Sequence, residues 1–550
     1  MDVNESIVKT LEHVGVTHVF GGSGQVNGSM LLALEKSEKV KTIIVKNEQA
    51  ASFMACGYSM FSDRLGVCFA TGGPGAFNLF SGMAVALSDS LPVLSITGYV
   101  SAPARGKGAL NEATGLSRTP DSGAMFSATC KKAYVLENAD DICDILEEAI
   151  NIAFDGRPGP VNIQIPKNLT TATVSNFREI KLDIKPVRPN RGGIEAAVTI
   201  LAKAMNSKEP VMALVGYGSV RSHAQKELMA FLEHFQIPFA STMDAKGYLP
   251  ENHALSLGVL GTSGDKGAKD FFDKARIVIA IGNSFAENAT YGFKADLYDG
   301  KQLIHINIDR HEIGKVYSPT VGLYSDVKPA IIDLHKGLEK EVAKVAKVTV
   351  VRDKYFDKEI TEKTAKIHPA ILVKEISKYL PPETVVLGDA GAHMLWLNCY
   401  LNLAENQIYQ NPGSFGPMAS HVNASMGVKC ANPDRPVVAA VGDGDYLMAG
   451  FELLTAVENN IPVVWVVFNN GEFNVIKKFL VNMFGRHAYM TFKNPDYVKY
   501  AEACGAQGYR VDKIEDFAAV FKKALDSGKP ALIDVAVDGE VYPPFALGKV

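Results

Sequence analysis

Two polar clusters near the end of the chain, Gly442-Asp443-Gly444 and Asn469-Asn470, each close an apolar run, and 24 residues lie between them. The runs 436–441 and 461–468 are rich in valine and read as buried parallel strands, with residues 449–460 as the helix that crosses between them. One βαβ unit results. In an open parallel sheet it sets Asp443 and Asn470 side by side at the carboxyl ends of neighbouring strands, where doubly wound folds bind their ligands. A carboxylate, an amide oxygen and a nearby backbone carbonyl are hard ligands that suit Mg²⁺ or Ca²⁺ better than zinc. So few of them leave coordination positions for phosphate oxygens and water. The pair therefore predicts a metal-bridged diphosphate.

At 550 residues the chain exceeds what one core organises, and three domains are expected. Hydrophobic residues make up 47% and charged residues 21%, the balance of a globular enzyme. The net charge of −4 arises from 56 basic and 60 acidic residues without a long like-charge block, which excludes an electrostatic footprint for nucleic acid. No apolar run approaches the ~18–20 residues of a membrane span, and Met1-Asp2-Val3-Asn4-Glu5 lacks the basic start of a signal peptide. A soluble, cytoplasmic protein is expected. Its seven cysteines are scattered, without a CxxC pair, and are expected to be reduced and mostly buried.

Residues 1–175 alternate apolar strands (18–20, 42–45, 66–70, 92–97, 161–165) with helical segments, the pattern of a parallel α/β domain. Residues 176–193 lose that periodicity and gather turn formers, a linker. Strands at 211–215, 238–241, 277–281 and 303–308 mark a second α/β unit over 190–340. A second linker spans 341–366, and a third α/β domain fills 367–550. The fold class expected is thus α/β, three doubly wound parallel-sheet domains, with no short internal repeat.

The spaced GDG and NN pair resembles the metal and diphosphate motif of thiamine diphosphate enzymes, and nearly the whole chain is similar to their acetolactate synthase-like branch. By that resemblance the three units are pyrimidine-binding, central and diphosphate-binding domains, and the cofactors are thiamine diphosphate and Mg²⁺. Asp443, Asn470 and the backbone carbonyl of Glu472 then hold the metal, with Gly442, Gly444, Asp445 and Phe473 beside the cofactor. Gly388-Asp389-Ala390-Gly391-Ala392-His393 follows the strand 384–387 and resembles a GxGxH element, with Gly391, Ala392 and His393 in contacting positions. His393 alone reads equally well as a structural histidine. Met418, 25 positions before Asp443, matches a large apolar wedge that keeps the two cofactor rings bent toward each other, and Gly416 offers its carbonyl to the 4′-amino group.

In the first unit Glu48 opens a helix after the second strand. There the resemblance implies a carboxyl group on the pyrimidine ring nitrogen, favouring the imino tautomer that acts as internal base. An isolated glutamate in a first helical turn reads more simply as a partner of the helix dipole. Gly75 and Asn78 belong to a GPGAxN turn that approaches the cofactor. Gln25, on the loop after the first strand, and Asn111 replace residues typical of the synthases and are assigned to the substrate side; Phe479 stands where those enzymes carry a tryptophan. The tail 541–548 resembles a segment that helps cover the synthase site, and Phe473, Ile476 and Phe479, at helical spacing, read either as an apolar lid or as the face that packs their helix onto the core.

The implied activity is decarboxylation of a pyruvate-like 2-oxo acid and transfer of the acyl unit to a carbonyl acceptor. Simple decarboxylation and hydrolytic cleavage of an α-diketone are the enzymatic alternatives, and a cofactor-binding regulatory protein is the non-enzymatic one. A nicotinamide dehydrogenase is excluded because neither Gly216-Tyr217-Gly218 nor Gly73-Pro74-Gly75 completes GxGxxG. The family's shared sites imply a homo-oligomer, a dimer or a dimer of dimers. Many relatives hold FAD in the central domain; here Phe285-Ala286-Glu287-Asn288 replaces their arginine-containing pattern, and FAD is not expected.

Overall fold

A computed structural model describes residues 1–543 except 63, 343–344, 346, 352–359 and 361–363. Its eighteen named strands form three six-stranded parallel sheets. The first contains β1 (His18–Gly21), β2 (Lys41–Ile44), β3 (Gly66–Ala70), β4 (Val93–Tyr99), β5 (Lys132–Val135) and β6 (Val161–Pro166), in the order β2-β1-β3-β4-β6-β5. The second contains β7 (Val211–Val215), β8 (Phe239–Ser241), β9 (Ser256–Val259), β10 (Ile277–Ile281), β11 (Gln302–Asn307) and β12 (Val321–Tyr324), in the order β12-β11-β10-β7-β8-β9. The third contains β13 (Val385–Gly388), β14 (Ile408–Gln410), β15 (Val437–Gly442), β16 (Val464–Asn469), β17 (Gln507–Val511) and β18 (Ala531–Ala536), in the order β14-β13-β15-β16-β18-β17. Three doubly wound α/β sheets are therefore present. The first and third share one topology, a likeness that no sequence repeat betrays.

Parallel pairing needs helices on both faces, which is why strands such as Ile277–Ile281 are buried along their whole length. Each sheet has a central reversal of strand order, between β1 and β3, between β7 and β10, and between β13 and β15. Diverging connections open a crevice at each reversal.

The helix that follows the second strand of the first sheet, Glu48–Met60, lies against its counterpart in the third, Ser420–Ala431. Glycine makes this approach feasible. A Cβ on Gly57 would lie 2.0 Å from the carbonyl oxygen of Ala424, and one on Gly427 would lie 1.9 Å from that of Met54. One apolar core, with Phe53, Tyr58, Met426 and Trp465 fully buried, joins the two units.

Several expected boundaries shift. The crossover between β15 and β16 starts at Asp443 itself, as a helix Asp443–Ala449, a 3₁₀ turn Gly450–Glu452 and a helix Leu453–Asn459. Strand β16 begins at Val464 rather than 461, because Pro462 has no N–H for the ladder. The helix Arg191–Asn206 begins inside the expected first linker, capped by the Asn190 side chain on the Gly193 amide. The expected second linker lies largely outside the described residues, as does the tail beyond 543.

Candidate active site

The β15-to-β16 pairing sets Gly442 opposite Phe468, so Asp443 and Asn470 emerge next to each other at the strand ends. Oδ2 of Asp443 accepts hydrogen bonds from the amides of Asn470 (3.1 Å) and Gly471 (2.6 Å) and from the Asn494 side chain (2.7 Å). Oδ1 accepts from the Gly444 amide (3.0 Å) and retains free acceptor capacity. Burial pushes the Asp443 carboxyl above the usual range, and these donors pull it back. Oδ1 of Asn470 accepts from the Glu472 amide at 3.0 Å.

At the crevice between β13 and β15, Asp389, His393 and Asp445 are all buried. Asp389 accepts from the His421 and Val422 amides, 3.0 Å each, and so caps the helix Ser420–Ala431. Asp445 accepts from the Gly442 amide at 3.0 Å, and its Oδ2 lies 3.3 Å from His393 Nε2. His393 Nε2 and Asp445 Oδ1 nonetheless have no hydrogen-bond partner among the described residues. Burial drives His393 down to about 3, so the ring is neutral. It pushes Asp445 well up, and the neighbouring Asp389 carboxylate adds to that rise.

The walls are glycine where a side chain would fill the space. A Cβ on Gly442 would sit 2.8 Å from Asp445 Oδ2 and 3.0 Å from His393 Nδ1, and one on Gly444 would sit 2.9 Å from the Phe473 ring and 3.2 Å from Met418 Cε. Gly391 and Ala392 open the helix Ala392–Tyr400 at the same crevice. Gly416, at φ +52°, turns the chain into the segment that carries Met418. Orphaned polar atoms, hard oxygen donors and a glycine-lined cradle fit a metal-bound diphosphate.

A second cluster lies at the reversal between β1 and β3. Glu48 begins the helix Glu48–Met60, with Asn47 as its cap. Asn78 donates to Glu48 Oε2 at 2.8 Å, while Oε1 faces Gly22 and Gly75, where added Cβ atoms would come within 2.8 and 3.1 Å. Only glycine leaves room there for a flat ring against the carboxylate. Asn111, at φ +62°, presses its backbone on the same turn: a Cβ on Gly73 would meet the Asn111 carbonyl at 2.9 Å. Gln25 is exposed on the loop after β1, apart from these contacts. Neighbouring Asn27 is buried and donates to the Gly22 carbonyl at 2.8 Å.

The structure thus gathers Glu48, Gly75, Asn78 and Asn111 into one cluster and the GDG, NN, GxGxH and Met418 elements into another. Sequence reading missed Asn494, whose place in Asn494-Pro495-Asp496 signals only the cap of the helix Tyr497–Ala503. It also missed Glu452, a buried carboxylate inside what reads as an ordinary crossover helix.

Three family models match the chain. The thiamine pyrophosphate enzyme N-terminal, central and C-terminal domains match residues 1–117, 194–334 and 389–535. The chain belongs to the thiamine pyrophosphate enzyme family. The acetolactate synthase large subunit of Corynebacterium glutamicum is 31% identical over 567 residues, covering 99% of this chain and 88% of its own. The acetolactate synthase of Mycobacterium leprae is 31% identical over 568 residues, with 99% and 88% covered. The chloroplastic acetolactate synthase 2 of Nicotiana tabacum is 31% identical over 557 residues, with 97% and 82% covered. The protein is therefore a thiamine diphosphate enzyme similar to the acetolactate synthases.

Proposed function

We propose that the protein is a carboligase that takes an acyl unit from a pyruvate-like 2-oxo acid and passes it to a second carbonyl compound. The observation that carries this reading is the pair of clusters at the strand ends of two sheets of one topology, Glu48 with Asn78 at the β1/β3 reversal of the first and Asp443 with Asn470 after β15 and β16 of the third. Thiamine diphosphate, when bound, supplies a nucleophilic carbon and an electron sink for C–C bond chemistry beside a carbonyl.

Asp443, Asn470 and the Glu472 carbonyl would hold Mg²⁺, and the neutral His393 and the amides around Gly391 and Ala392 would meet the diphosphate. Glu48 would share a proton with the pyrimidine ring nitrogen through Oε1, its other oxygen being fixed by Asn78. Met418 and Phe473 would hold the rings, with Gly416 offering a carbonyl. Gln25 and Asn111 lie on the first-unit side of the site, where neutral hydrogen-bonding groups suit a carbonyl acceptor. Carboligation requires that water be kept from the acyl carbon until the acceptor arrives; Ile476 and Phe479 are exposed on the helix Asn474–Phe484, which leaves Phe473 as the side chain that would contribute. The units 1–175, 190–340 and 367–550 would be the pyrimidine, central and diphosphate domains.

The side-chain oxygens of Glu48 and of Asp443 are each held from within their own unit. Glu48 is held by Asn78 and enclosed by Gly22 and Gly75, whereas Asp443 is held by Asn470, Gly471 and Asn494. Exposed apolar side chains flank both, Phe80 and Leu87 on one side and Leu447, Met448 and Phe451 on the other. A site completed between two subunits of a dimer, or a dimer of dimers, accounts for both features. Among the described residues no helix is long and apolar enough to cross a membrane, consistent with a cytoplasmic enzyme.

A cavity of about 1580 Å³ lies over the β7 and β10 ends between all three units and reaches Ala390 and Gly416 of the third. Gly216, Tyr217 and Asn283 line it, together with the carboxylates of Asp89 and Asp244. Phe285 is turned into an aromatic cluster with Tyr298, His305 and Tyr317 instead of offering a cation to a diphosphate. We infer that no FAD is held there.

Product analysis tests the proposal. Purified protein with thiamine diphosphate, Mg²⁺ and pyruvate, alone and with aldehyde or 2-oxo acid acceptors, should yield a hydroxyketone product. Free aldehyde alone with every acceptor would favour the decarboxylase, and one carboxylic acid plus one aldehyde from an α-diketone offered in place of pyruvate would favour the hydrolase.

A further inference from the structure

Asn494 lies outside the GDG and NN clusters, yet its amide is fully committed beside them. Nδ2 donates to Asp443 Oδ2 at 2.7 Å and to Asn469 Oδ1 at 2.8 Å. Its Oδ1 stands 3.0 Å from the Tyr497 hydroxyl, which also lies 3.3 Å from the Asp443 carbonyl. This fixes the sense of the amide. A reversed Asn494 would turn its oxygen toward two acceptor oxygens and its NH₂ toward the Tyr497 hydroxyl, losing both short bonds to Asp443 and Asn469.

The network continues outward. Asn469 donates through Nδ2 to Asp534 Oδ1 at 2.8 Å, and Asp534 pairs with Arg510 on the edge strand β17. Strands β16, β18 and β17 thus anchor a chain of oriented dipoles that ends on Asp443. Such networks polarise along their length and hold one arrangement.

The consequence for Asp443 is an asymmetric carboxylate. Three donors saturate Oδ2, the Asn470 and Gly471 amides and Asn494, whereas among the described residues Oδ1 meets only the amide of the adjacent Gly444. A cation approaching this carboxylate finds Oδ1.

We propose that Asn494, aimed by Tyr497, is a positioning residue that locks the Asp443 carboxylate so that Oδ1 is presented to the metal. This rests on the reading that Asp443 binds Mg²⁺. A carboxylate free to rotate loses the preorientation that partners of metal ligands supply, and removal of such partners lowers metal affinity by about 10–100-fold.

Calorimetric titration of Mg²⁺ into protein saturated with thiamine diphosphate, alongside thermal unfolding of the same samples without metal, tests this. Asn494→Leu should weaken Mg²⁺ binding by about 10–100-fold. Tyr497→Phe, which keeps the ring and removes only the hydroxyl, should weaken it in the same direction by roughly fivefold, the value of one neutral hydrogen bond. Unchanged Mg²⁺ affinity in Tyr497→Phe and Asn494→Leu, even with lowered unfolding temperatures, would show a structural cap only and overturn the proposal. Should Asn494→Leu not fold, Tyr497→Phe decides alone. Failure of the unaltered protein to bind Mg²⁺ with the cofactor would instead overturn the metal assignment of Asp443.

Discussion

The carboxylate of Glu452 accepts the backbone amides of Lys46 and Asn47, each at 2.9 Å, so a residue of the third unit holds the turn that delivers Glu48 in the first. Glu452 is 3% exposed, and its second oxygen accepts the Thr455 hydroxyl at 2.6 Å. Burial raises its carboxyl, and those same donors oppose the rise. Only eight residues separate it from Asp443, across the helix Asp443–Ala449. One short segment therefore fixes elements of both clusters.

Glu452→Ala should deprive two amides next to Glu48 of their acceptor, at a cost of about 0.5–1.5 kcal/mol each, the net value of a hydrogen bond whose donor water can still reach. Glu452→Gln keeps one acceptor oxygen and should be milder. The expected outcome is a lower unfolding midpoint for Ala than for Gln, accompanied by slower exchange of the cofactor C2 proton. An Ala variant that unfolds early while its exchange rate stays unchanged would separate Glu452 from the positioning of Glu48.

Glu48→Gln preserves the shape and the capacity to meet Asn78 but removes the carboxyl. With thiamine diphosphate bound, C2 proton exchange should slow by about 10²-fold or more, the scale of a lost acid-base contribution. Cofactor affinity, carried mainly by the diphosphate side, should change little. Equal exchange rates in the two proteins would remove Glu48 from this role.

Asp89 and Asp244 face the central cavity, and their carboxyls are pushed up to about 7 and about 6 by burial; in Asp89 the neighbouring Asp244 adds to the rise. Arg157 and the Gly413 amide oppose it at Asp89. A folded-state value above the unfolded one means that the folded protein holds more protons between about pH 4 and pH 7. The stability these groups contribute is complete below pH 4 and lost as the pH rises through about 7. Asp89→Asn, which keeps an acceptor for Gly413, should raise the unfolding midpoint at pH 8 more than at pH 5. An equal effect at both pH values would contradict the linkage.

The juxtaposition of Asp443 and Asn470 was legible because both follow strands that read as unbroken apolar runs. Glu48, Asn78 and Gly75 were reached through family resemblance, since a glutamate in a first helical turn carries no signal of its own. Edge strands escaped notice: Lys132–Val135 and Val321–Tyr324 are only partly buried, so their hydrophobic pattern is weak. Asn494 and Glu452 were invisible for a different reason. Their partners are 51 residues away in one case and 406 and 405 in the other, and only the tertiary fold brings them together.

A site shared between subunits makes a quantitative claim about mixtures. If Glu48 of one subunit serves with Asp443 of another, a dimer of one Glu48→Gln chain and one Asp443→Ala chain has one site with both defects and one with neither. Random pairing makes half of all dimers mixed, each with a single intact site, so co-expression should restore about a quarter of wild-type activity to two inactive variants. The exposed Leu447, Met448 and Phe451 beside Asp443 are the surface expected to form that contact. Phe451→Arg should therefore lower the sedimentation coefficient toward a monomer and abolish the restored activity. A site built within one chain predicts no restoration at any ratio, because each chain would retain its own defect. Absence of recovery in mixtures proven by mass to contain the mixed dimer would assign both clusters to a single subunit.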